Sequence, residues 1–226
     1  RTSKQLDNIY KAIKTRIEIT EDIFDMNGDL LGFTNGTYEL HTGIFREGRS
    51  NDYISEVLPY DYGVCDTKLC MEFIDNIMPH RDERDFLLQV LSTSLRGKTL
   101  EKFVMLIGAG GNGKDSLITY LMKGVMGEHY YKACNTAITE KIRGDVSVSI
   151  SSMHKKRLVV YNEPDKNGSI RVSIMKELTG GNQISYRGLY SADTNKILHA
   201  THIIMCNNLP KLYEVGDAVA RRLIVI

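Results

Sequence analysis

The sequence predicts an α/β fold built around a parallel sheet, and three observations support this prediction. Continuous apolar runs occupy residues 102–107, 157–161 and 202–206, and such runs are typical of strands that are buried on both faces. Segments with helical periodicity separate the runs, as expected for alternating strands and helices. A cluster of glycines directly follows the first run. The chain has 226 residues, 42% of them hydrophobic, which is enough for one packed domain with a smaller appendage.

The beginning of the chain has a different sequence pattern. Residues 1–22 carry apolar side chains at three- and four-residue spacing, which predicts a polar helix. Residues 25–62 alternate short β-branched and aromatic runs with turn signals such as Asn35-Gly36. This alternation predicts a small, turn-rich β segment.

Helical periodicity returns at residues 69–78 and 84–95, with a proline between the two stretches. We therefore divide the chain into a lead-in segment (1–66), a helical collar or linker (67–100) and an α/β core (101–226). The core ends on a strand-like run with no terminator, so we expect it to be truncated at its C-terminal end.

Composition excludes several classes of function. Lysine and arginine number 29 against 28 for aspartate and glutamate, so bulk charge gives a nucleic-acid partner no support and any basic surface must be local. No apolar run approaches the roughly 18 residues that a membrane span needs, so we expect no membrane partner. The four cysteines show neither C-x-x-C pairing nor a histidine at zinc spacing. We expect reduced thiols in an intracellular protein, most of them buried.

The glycine cluster matches the phosphate-binding pattern G-x-x-x-x-G-K-[ST] over residues 108–115, at every fixed position except the last. Glycines let the backbone wrap closely around phosphates, and the helix that follows points its N-terminal N–H groups at them. Lys114 then reaches the terminal phosphates as a mobile positive charge. The predicted ligand is ATP, and the predicted nucleotide-binding residues are Gly108, Ala109, Gly110, Gly111, Asn112, Gly113, Lys114, Asp115 and Ser116.

Asp115 stands at the position where a hydroxyl usually binds Mg²⁺. A carboxylate still suits this metal, which prefers oxygen ligands, whereas without the metal it would repel a triphosphate. Ser116 is expected to point elsewhere along the helix. We therefore predict Mg²⁺ as a cofactor and Asp115 as one of its ligands.

The second apolar run ends at Glu163. Hydrolysis needs a carboxylate beside the γ-phosphate to polarise the attacking water, so we predict Glu163 as the general base and as a second Mg²⁺ ligand. Asn162 stands where such strands often carry an aspartate. We hypothesise that Asp115 restores the carboxylate that is missing at residue 162.

The third apolar run ends in Asn207-Asn208-Leu209-Pro210. A strand-end asparagine beside the first two strands can donate a hydrogen bond to the γ-phosphate or orient the water, and Asn207 is the better placed candidate. The sequence therefore predicts that residues 114, 163 and 207 surround a single triphosphate.

Taken in order, these motifs resemble the superfamily 3 helicases, specifically the poxvirus-type primase-helicase branch of large DNA viruses and phages. The motifs are Gly-Ala-Gly-Gly-Asn-Gly-Lys at 108–114, Val-Val-Tyr-Asn-Glu-Pro at 159–164, Asn-Asn-Leu-Pro at 207–210 and Arg-Arg at 221–222. The run Leu-Gly-Phe-Thr-Asn-Gly-Thr-Tyr-Glu-Leu at 31–40 resembles the domain that precedes the ATPase in that branch.

The resemblance implies an AAA+-like core in a hexameric ring with ATP bound between subunits. Such a ring translocates on single-stranded DNA in its pore and unwinds duplexes during viral or phage DNA replication. It also implies other replication proteins as further partners and an intracellular location at the viral replication site in the host cell.

The same resemblance implies roles for individual residues. Arg221 and Arg222 would form the arginine-finger pair that reaches the neighbouring subunit's γ-phosphate, with the choice between them open. DNA contact would come from a β-hairpin at residues 189–198, with Thr194, Asn195 and Lys196 as DNA-binding residues at its tip. The basic run 155–157, by contrast, is expected to be a solvated face.

Two alternatives stay open beside the ATP-hydrolysing DNA helicase. A P-loop kinase of a small molecule shares the phosphate-binding loop but needs neither arginines supplied by a neighbour nor a pore hairpin. A degenerate ATPase that serves as a DNA-binding or assembly module would fit the unusual residues at 115 and 162.

Overall fold

The computed structural model of the chain describes residues 3–17, 23–139, 145–164, 169–187, 193–212 and 216–226. Helix α1 (Ser3–Ile17) opens the chain, as its periodicity predicts. A four-stranded sheet follows, built from β1 (Leu30–Phe33), β2 (Gly36–Glu39), β3 (Ile44–Arg46) and β4 (Val57–Leu58) in the order β3-β2-β1-β4. Strands β1, β2 and β3 are antiparallel, and β4 adds to β1 in parallel. The turn-rich β segment is therefore confirmed.

Two helices connect this sheet to the core. Helices α2 (Lys68–Ile77) and α3 (Arg81–Thr93) bury apolar side chains, including Leu87 and Leu91 of α3, against one face of the larger sheet. The break between them falls at Pro79, where the chain cannot continue a helix. The boundaries at residues 66 and 100 stay a prediction.

The core is a five-stranded, wholly parallel sheet, so the predicted α/β class is confirmed. Its strands are β5 (Phe103–Ile107), β6 (Tyr130–Lys132), β7 (Leu158–Tyr161), β11 (Thr201–Cys206) and β13 (Leu223–Val225), in the order β13-β5-β11-β7-β6. The three central strands are almost wholly buried, which explains why their sequences are apolar at consecutive positions. The strand that carries residues 202–206 lies between the other two predicted strands, pairing Ile203 with Val104 and with Val160.

Shorter elements cover the faces of this sheet. A π-helical segment (Ser116–Leu121) continues into α4 (Met122–Met126), and α5 (Thr136–Thr139), α6 (Asp145–Ser151) and α7 (Val172–Thr179) follow. A two-stranded parallel sheet pairs β8 (Ser169–Ile170) with β12 (Lys211–Leu212), and α8 (Asp217–Ala220) precedes β13. None of the helices in the described ranges combines the length and apolar character that crossing a bilayer requires.

The expectation that most cysteines are buried was wrong. All four are free thiols, but only Cys206 is buried, while Cys65 and Cys134 are exposed. Cys206 belongs to a central strand, whereas the other three lie in connecting segments or on a helix surface.

Arg157 corrects the expectation of a solvated basic face at residues 155–157. It is only 6% exposed, and its guanidinium donates to the backbone oxygens of Leu95 at 2.5 Å and Leu30 at 2.6 Å. Lys155 and Lys156 are half-buried and form ion pairs of 3.6 Å and 3.8 Å with carboxylates of the lead-in segment. The run therefore joins the lead-in segment and the end of α3 to the start of β7.

Candidate functional site

The predicted phosphate-binding loop, Glu163 and Asn207 lie at one edge of the parallel sheet. The loop follows β5, Glu163 follows β7 and Asn207 follows β11. Because these strands are parallel, their carboxyl ends lie at the same edge of the sheet. The backbone N–H of Gly108 donates to the oxygen of Cys206 at 3.2 Å, which ties the loop to the end of β11. Ligands of open α/β sheets bind at this edge.

The glycines of the loop serve conformations that other residues rarely adopt. Gly111 and Gly113 have φ angles of 78° and 89°. A Cβ on Gly113 would also lie 2.5 Å from Cγ2 of Ile77, at the end of α2, so the loop is packed closely against the collar.

Lys114 folds back over the loop. Its ammonium donates to the backbone oxygens of Gly108 and of Ala109, the latter at 3.3 Å, and to Oδ1 of Asn112 at 2.9 Å. The role of Lys114 in phosphate binding stays a prediction.

Asp115 and Ser116 open the π-helical segment, and both are exposed. Oδ1 of Asp115 accepts a hydrogen bond from the hydroxyl of Thr119, one turn further along, at 3.1 Å. The carboxylate is therefore directed along the helix surface and has one oxygen occupied. An Asp-x-x-x-Thr spacing was visible in the sequence and could have indicated this bond.

Both oxygens of the Glu163 carboxylate accept backbone N–H groups from the end of β11. Oε2 accepts from Asn207 at 3.0 Å and Oε1 lies 3.4 Å from the nitrogen of Asn208. The structure thus brings Glu163 and Asn207 into direct contact. Burial raises the pKa of the neighbouring Cys206 thiol to about 12, with the Glu163 carboxylate adding to the rise and Lys114 opposing it.

Asn135, which sequence analysis missed, holds the segment that carries Glu163. Its side-chain nitrogen donates to the backbone oxygen of Glu163 at 2.8 Å, and its side-chain oxygen accepts from the backbone nitrogen of Asn162 at 3.1 Å. The side-chain amide of Asn135 therefore makes the two backbone hydrogen bonds that a neighbouring strand would make beside the end of β7. No local signal marks this residue, because the contact joins positions 27 and 28 residues apart.

The donor set for Mg²⁺ is partial. Within the described ranges no group of three or more histidine, cysteine, aspartate or glutamate side chains could hold a metal ion. Mg²⁺ is usually bound through one or two carboxylates together with substrate phosphates and waters. Asp115 and Glu163 as its ligands therefore stay a prediction.

Arg221 and Arg222 lie at the opposite edge of the sheet from the phosphate-binding loop. The oxygen of Arg222 accepts from the backbone nitrogen of Phe103, the first residue of β5, at 2.7 Å. Arg221 is exposed, whereas Arg222 is half-buried and Nη1 lies 3.4 Å from the oxygen of Ala218. Five strand residues at about 3.3 Å each separate the pair from the loop by roughly 16 Å.

The predicted hairpin exists but begins earlier than expected. Strands β9 (Gln183–Arg187) and β10 (Asp193–Ile197) pair antiparallel, with Lys196 opposite Ile184. Lys196 therefore lies near the base of the hairpin, three pairs away from the pair of Arg187 and Asp193. Residues 188–192, and the side chains of Thr194 and Asn195, lie outside the described part of the chain.

Two protein families match the chain. The family described as "D5 N terminal like" matches residues 1–79, and a "Family of unknown function (DUF5906)" matches residues 106–222.

Named relatives come from large DNA viruses. The chain is 35% identical to "Putative helicase L207/L206" of Acanthamoeba polyphaga mimivirus, over 89% of the chain and 22% of that protein. It is 30% identical to "Primase D5" of fowlpox virus (strain NVSL), over 89% of the chain and 27% of that protein. A third relative, "Uncoating factor OPG117" of monkeypox virus, is 30% identical over 89% of the chain and 28% of its own length. The chain thus spans about a quarter of the length of these curated relatives.

The fold resembles that of a solved structure described as "The A form apo structure of NrS-1 C terminal region-CTR". The TM-score is 0.56 at 15% identity, over 70% of this chain and 36% of the other. At this identity the likeness concerns the fold.

Proposed function

Because the chain belongs to the DUF5906 family and to the poxvirus-type D5 primase-helicase branch of large DNA viruses, we propose that it is the ATP-driven DNA helicase module of a viral replication protein. It would act at the site of viral DNA replication in the host cell. The observation that carries this proposal is that Lys114, Glu163 and Asn207 follow the carboxyl ends of three adjacent parallel strands, with Glu163 and Asn207 in contact.

The residues of this edge divide the work of ATP hydrolysis. Lys114 holds the terminal phosphates. Its hydrogen bonds to the backbone oxygens of Gly108 and Ala109 support this role. Glu163 takes a proton from the water that attacks the γ-phosphate. Asn207 lies beside that carboxylate and donates to the γ-phosphate or to the water. Bound Mg²⁺, held by Asp115 and Glu163, would neutralise charge on the phosphates.

The position of the arginine pair supports assembly into a ring. A pair that lies about 16 Å from the loop of its own subunit cannot contact the same nucleotide, whereas a neighbouring subunit could present it there. Arg221 is the better finger because it is exposed, while Arg222 is held on Ala218. A finger supplied from another subunit is worth about 10³ to 10⁵ in rate.

Single-stranded DNA is the proposed track, and the hairpin of β9 and β10 is the proposed contact. Thr194, Asn195 and Lys196 lie on its second strand. Lysine side chains contact phosphates without reading sequence, as a translocating motor requires.

The test is ATP hydrolysis measured with and without single-stranded DNA over a range of protein concentrations. The proposal expects stimulation by DNA and a specific activity that rises steeply as subunits assemble. A constant, DNA-independent specific activity with phosphate transfer to a small acceptor would instead identify a kinase. Absence of turnover at every concentration would identify a DNA-binding or assembly module.

A further inference from the structure

A cavity of about 260 Å³ lies on the side of the sheet away from the phosphate-binding loop. We propose that it binds one nucleotide unit of a single-stranded nucleic acid, as a site separate from the ATP site. Its lining comes from the base of the hairpin, the segment before β7, the end of the collar and the lead-in segment. The residues that the argument uses are Asp25, Met26, Lys155, Gln183, Lys196 and His199.

The cavity lies next to the hairpin and at the opposite edge of the sheet from the proposed ATP site. Residues 155–157 precede β7 and His199 precedes β11, whereas the phosphate-binding loop and Glu163 follow strands of the same sheet. Six residues of β11 at about 3.3 Å each place roughly 20 Å between the two edges. Gln183 and Lys196 lie at the open end of the hairpin, so a strand on the hairpin passes the mouth of the cavity.

The charge of the lining favours a phosphate group. Four cations line it (Lys155, Lys156, Arg157 and Lys196) against one carboxylate, that of Asp25. That carboxylate accepts from the backbone nitrogens of Ser55 at 2.7 Å and Glu56 at 3.1 Å, and it forms an ion pair of 3.6 Å with Lys155, so it offsets one of the four positive charges. Burial alone would raise the pKa of Asp25, but these hydrogen bonds and Lys155 hold it below its ordinary value. A local basic surface of this kind is what a chain with no overall excess of cations needs in order to bind nucleic acid.

The remaining lining suits a base. Met26, 60% exposed at the rim, and Ile197 supply apolar surface, and the imidazole of His199 supplies a planar ring. Burial lowers the pKa of His199, so the ring is neutral at pH 7 and is available for stacking. The exposed amide of Gln183 can both donate to and accept from a base edge.

The size agrees with this occupant. A cavity volume of about 10–15 Å³ is enough for a single water molecule. The cavity volume of about 260 Å³ therefore admits a group far larger than an inorganic phosphate. A lining that combines cations with apolar and amide groups matches a nucleotide better than an acidic peptide, which would leave the apolar groups without a partner.

The inference deepens the proposed function, because it rests on the hairpin as the DNA contact, but it does not depend on ATP turnover. Binding is measured by fluorescence anisotropy with a labelled oligothymidylate, without ATP. Lys155 has a φ angle of 62°, so Lys155→Asn removes the charge while keeping a residue that tolerates this backbone. His199→Ala, at an exposed position, is the second variant, and Lys68→Gln on the exposed face of α2 is the charge-matched control.

We expect Lys155→Asn to weaken oligonucleotide binding about 3- to 10-fold and to reduce the slope of log K against log salt by about 0.7, the value for one phosphate contact on a single strand. His199→Ala should weaken binding with the salt slope unchanged. Lys68→Gln should bind like the parent protein, and so should Lys114→Ala, even though it would abolish ATP hydrolysis. Melting temperatures near that of the parent establish that the variants are folded.

Photo-crosslinking locates the strand independently of any substitution. An oligonucleotide with 4-thiothymidine should form adducts with Met26 or His199. Free thymidine monophosphate at millimolar concentration should compete, and inorganic phosphate at the same concentration should not. Parent-like binding by both Lys155→Asn and His199→Ala, adducts confined to other surfaces, or equal competition by inorganic phosphate would each overturn the proposal. If the protein bound DNA through this cavity but hydrolysed no ATP, the proposed helicase function would be refuted and the assignment of the cavity would be supported.

Discussion

Replacing Asn135 by alanine tests whether Glu163 is the general base, because Asn135 touches no substrate and acts only through the backbone around Glu163. The substitution removes two hydrogen bonds, of 2.8 Å to the oxygen of Glu163 and 3.1 Å from the nitrogen of Asn162. At about 1 kcal/mol each, they hold the strand end in place by about 2 kcal/mol. That free energy corresponds to about a 30-fold loss of kcat if the released carboxylate is seldom in position.

The assay is steady-state ATP hydrolysis with saturating single-stranded DNA, with kcat and KM determined separately. KM for ATP should change by less than about threefold, because the phosphate-binding loop is untouched. Asn135→Asp should be at least as impaired as Asn135→Ala, since a carboxylate would face the oxygen of Glu163. Asn51→Ala, at an exposed asparagine of the lead-in segment, is the control and should behave like the parent. A raised KM with kcat unchanged, or no change in either, would refute the assignment of Glu163.

Three further predictions follow from the fold and the site. Arg157→Met should lower the free energy of unfolding, measured by urea titration, by about 3 kcal/mol, because the buried backbone oxygens of residues 28, 30 and 95 lose their charged donor. A decrease of less than about 0.5 kcal/mol would contradict this prediction. Mixing Arg221→Ala subunits with Glu163→Gln subunits should restore ATP hydrolysis, because the first variant keeps Glu163 at the nucleotide site and the second keeps the arginine finger. A mixture that is no more active than either variant alone would exclude action between subunits. His202 is fully buried, and burial lowers its pKa from 6.5 to about 4. The free energy of unfolding should therefore be unaffected by this residue above about pH 6.5 and should fall by up to about 3 kcal/mol as the pH falls towards 4. Free energies of unfolding that stay constant between pH 7 and 4.5 would be inconsistent with this.

The sequence was most informative where a feature is local. Residues 103–107, 158–161 and 201–206 could be identified as strands because burial on both faces requires apolar side chains at every position. The phosphate-binding motif could be recognised because its glycines and Lys114 are adjacent in the chain, and its binding of phosphate stays a prediction.

What could not be predicted depends on contacts between distant residues. Arg157 looked like a surface cation, and it is buried because oxygens 62, 127 and 129 residues away converge on its guanidinium. Asn135 is an ordinary turn residue in sequence, and its role appears only when β6 and β7 are paired. The start of the hairpin was misplaced because the polar residues at 191–195 resemble a turn, whereas residues 193–197 form a strand that pairs with residues 183–187.

The central claim is that one triphosphate lies among Lys114, Glu163 and Asn207. The most direct test is to measure ATP affinity and hydrolysis on the same preparations of the parent, Lys114→Ala and Glu163→Gln. Glu163→Gln should bind ATP within about threefold of the parent while its turnover falls by about 10² or more, whereas Lys114→Ala should lose binding itself. If Glu163→Gln turned over ATP at the parental rate, or if Lys114→Ala bound ATP normally, the two side chains would not share a nucleotide.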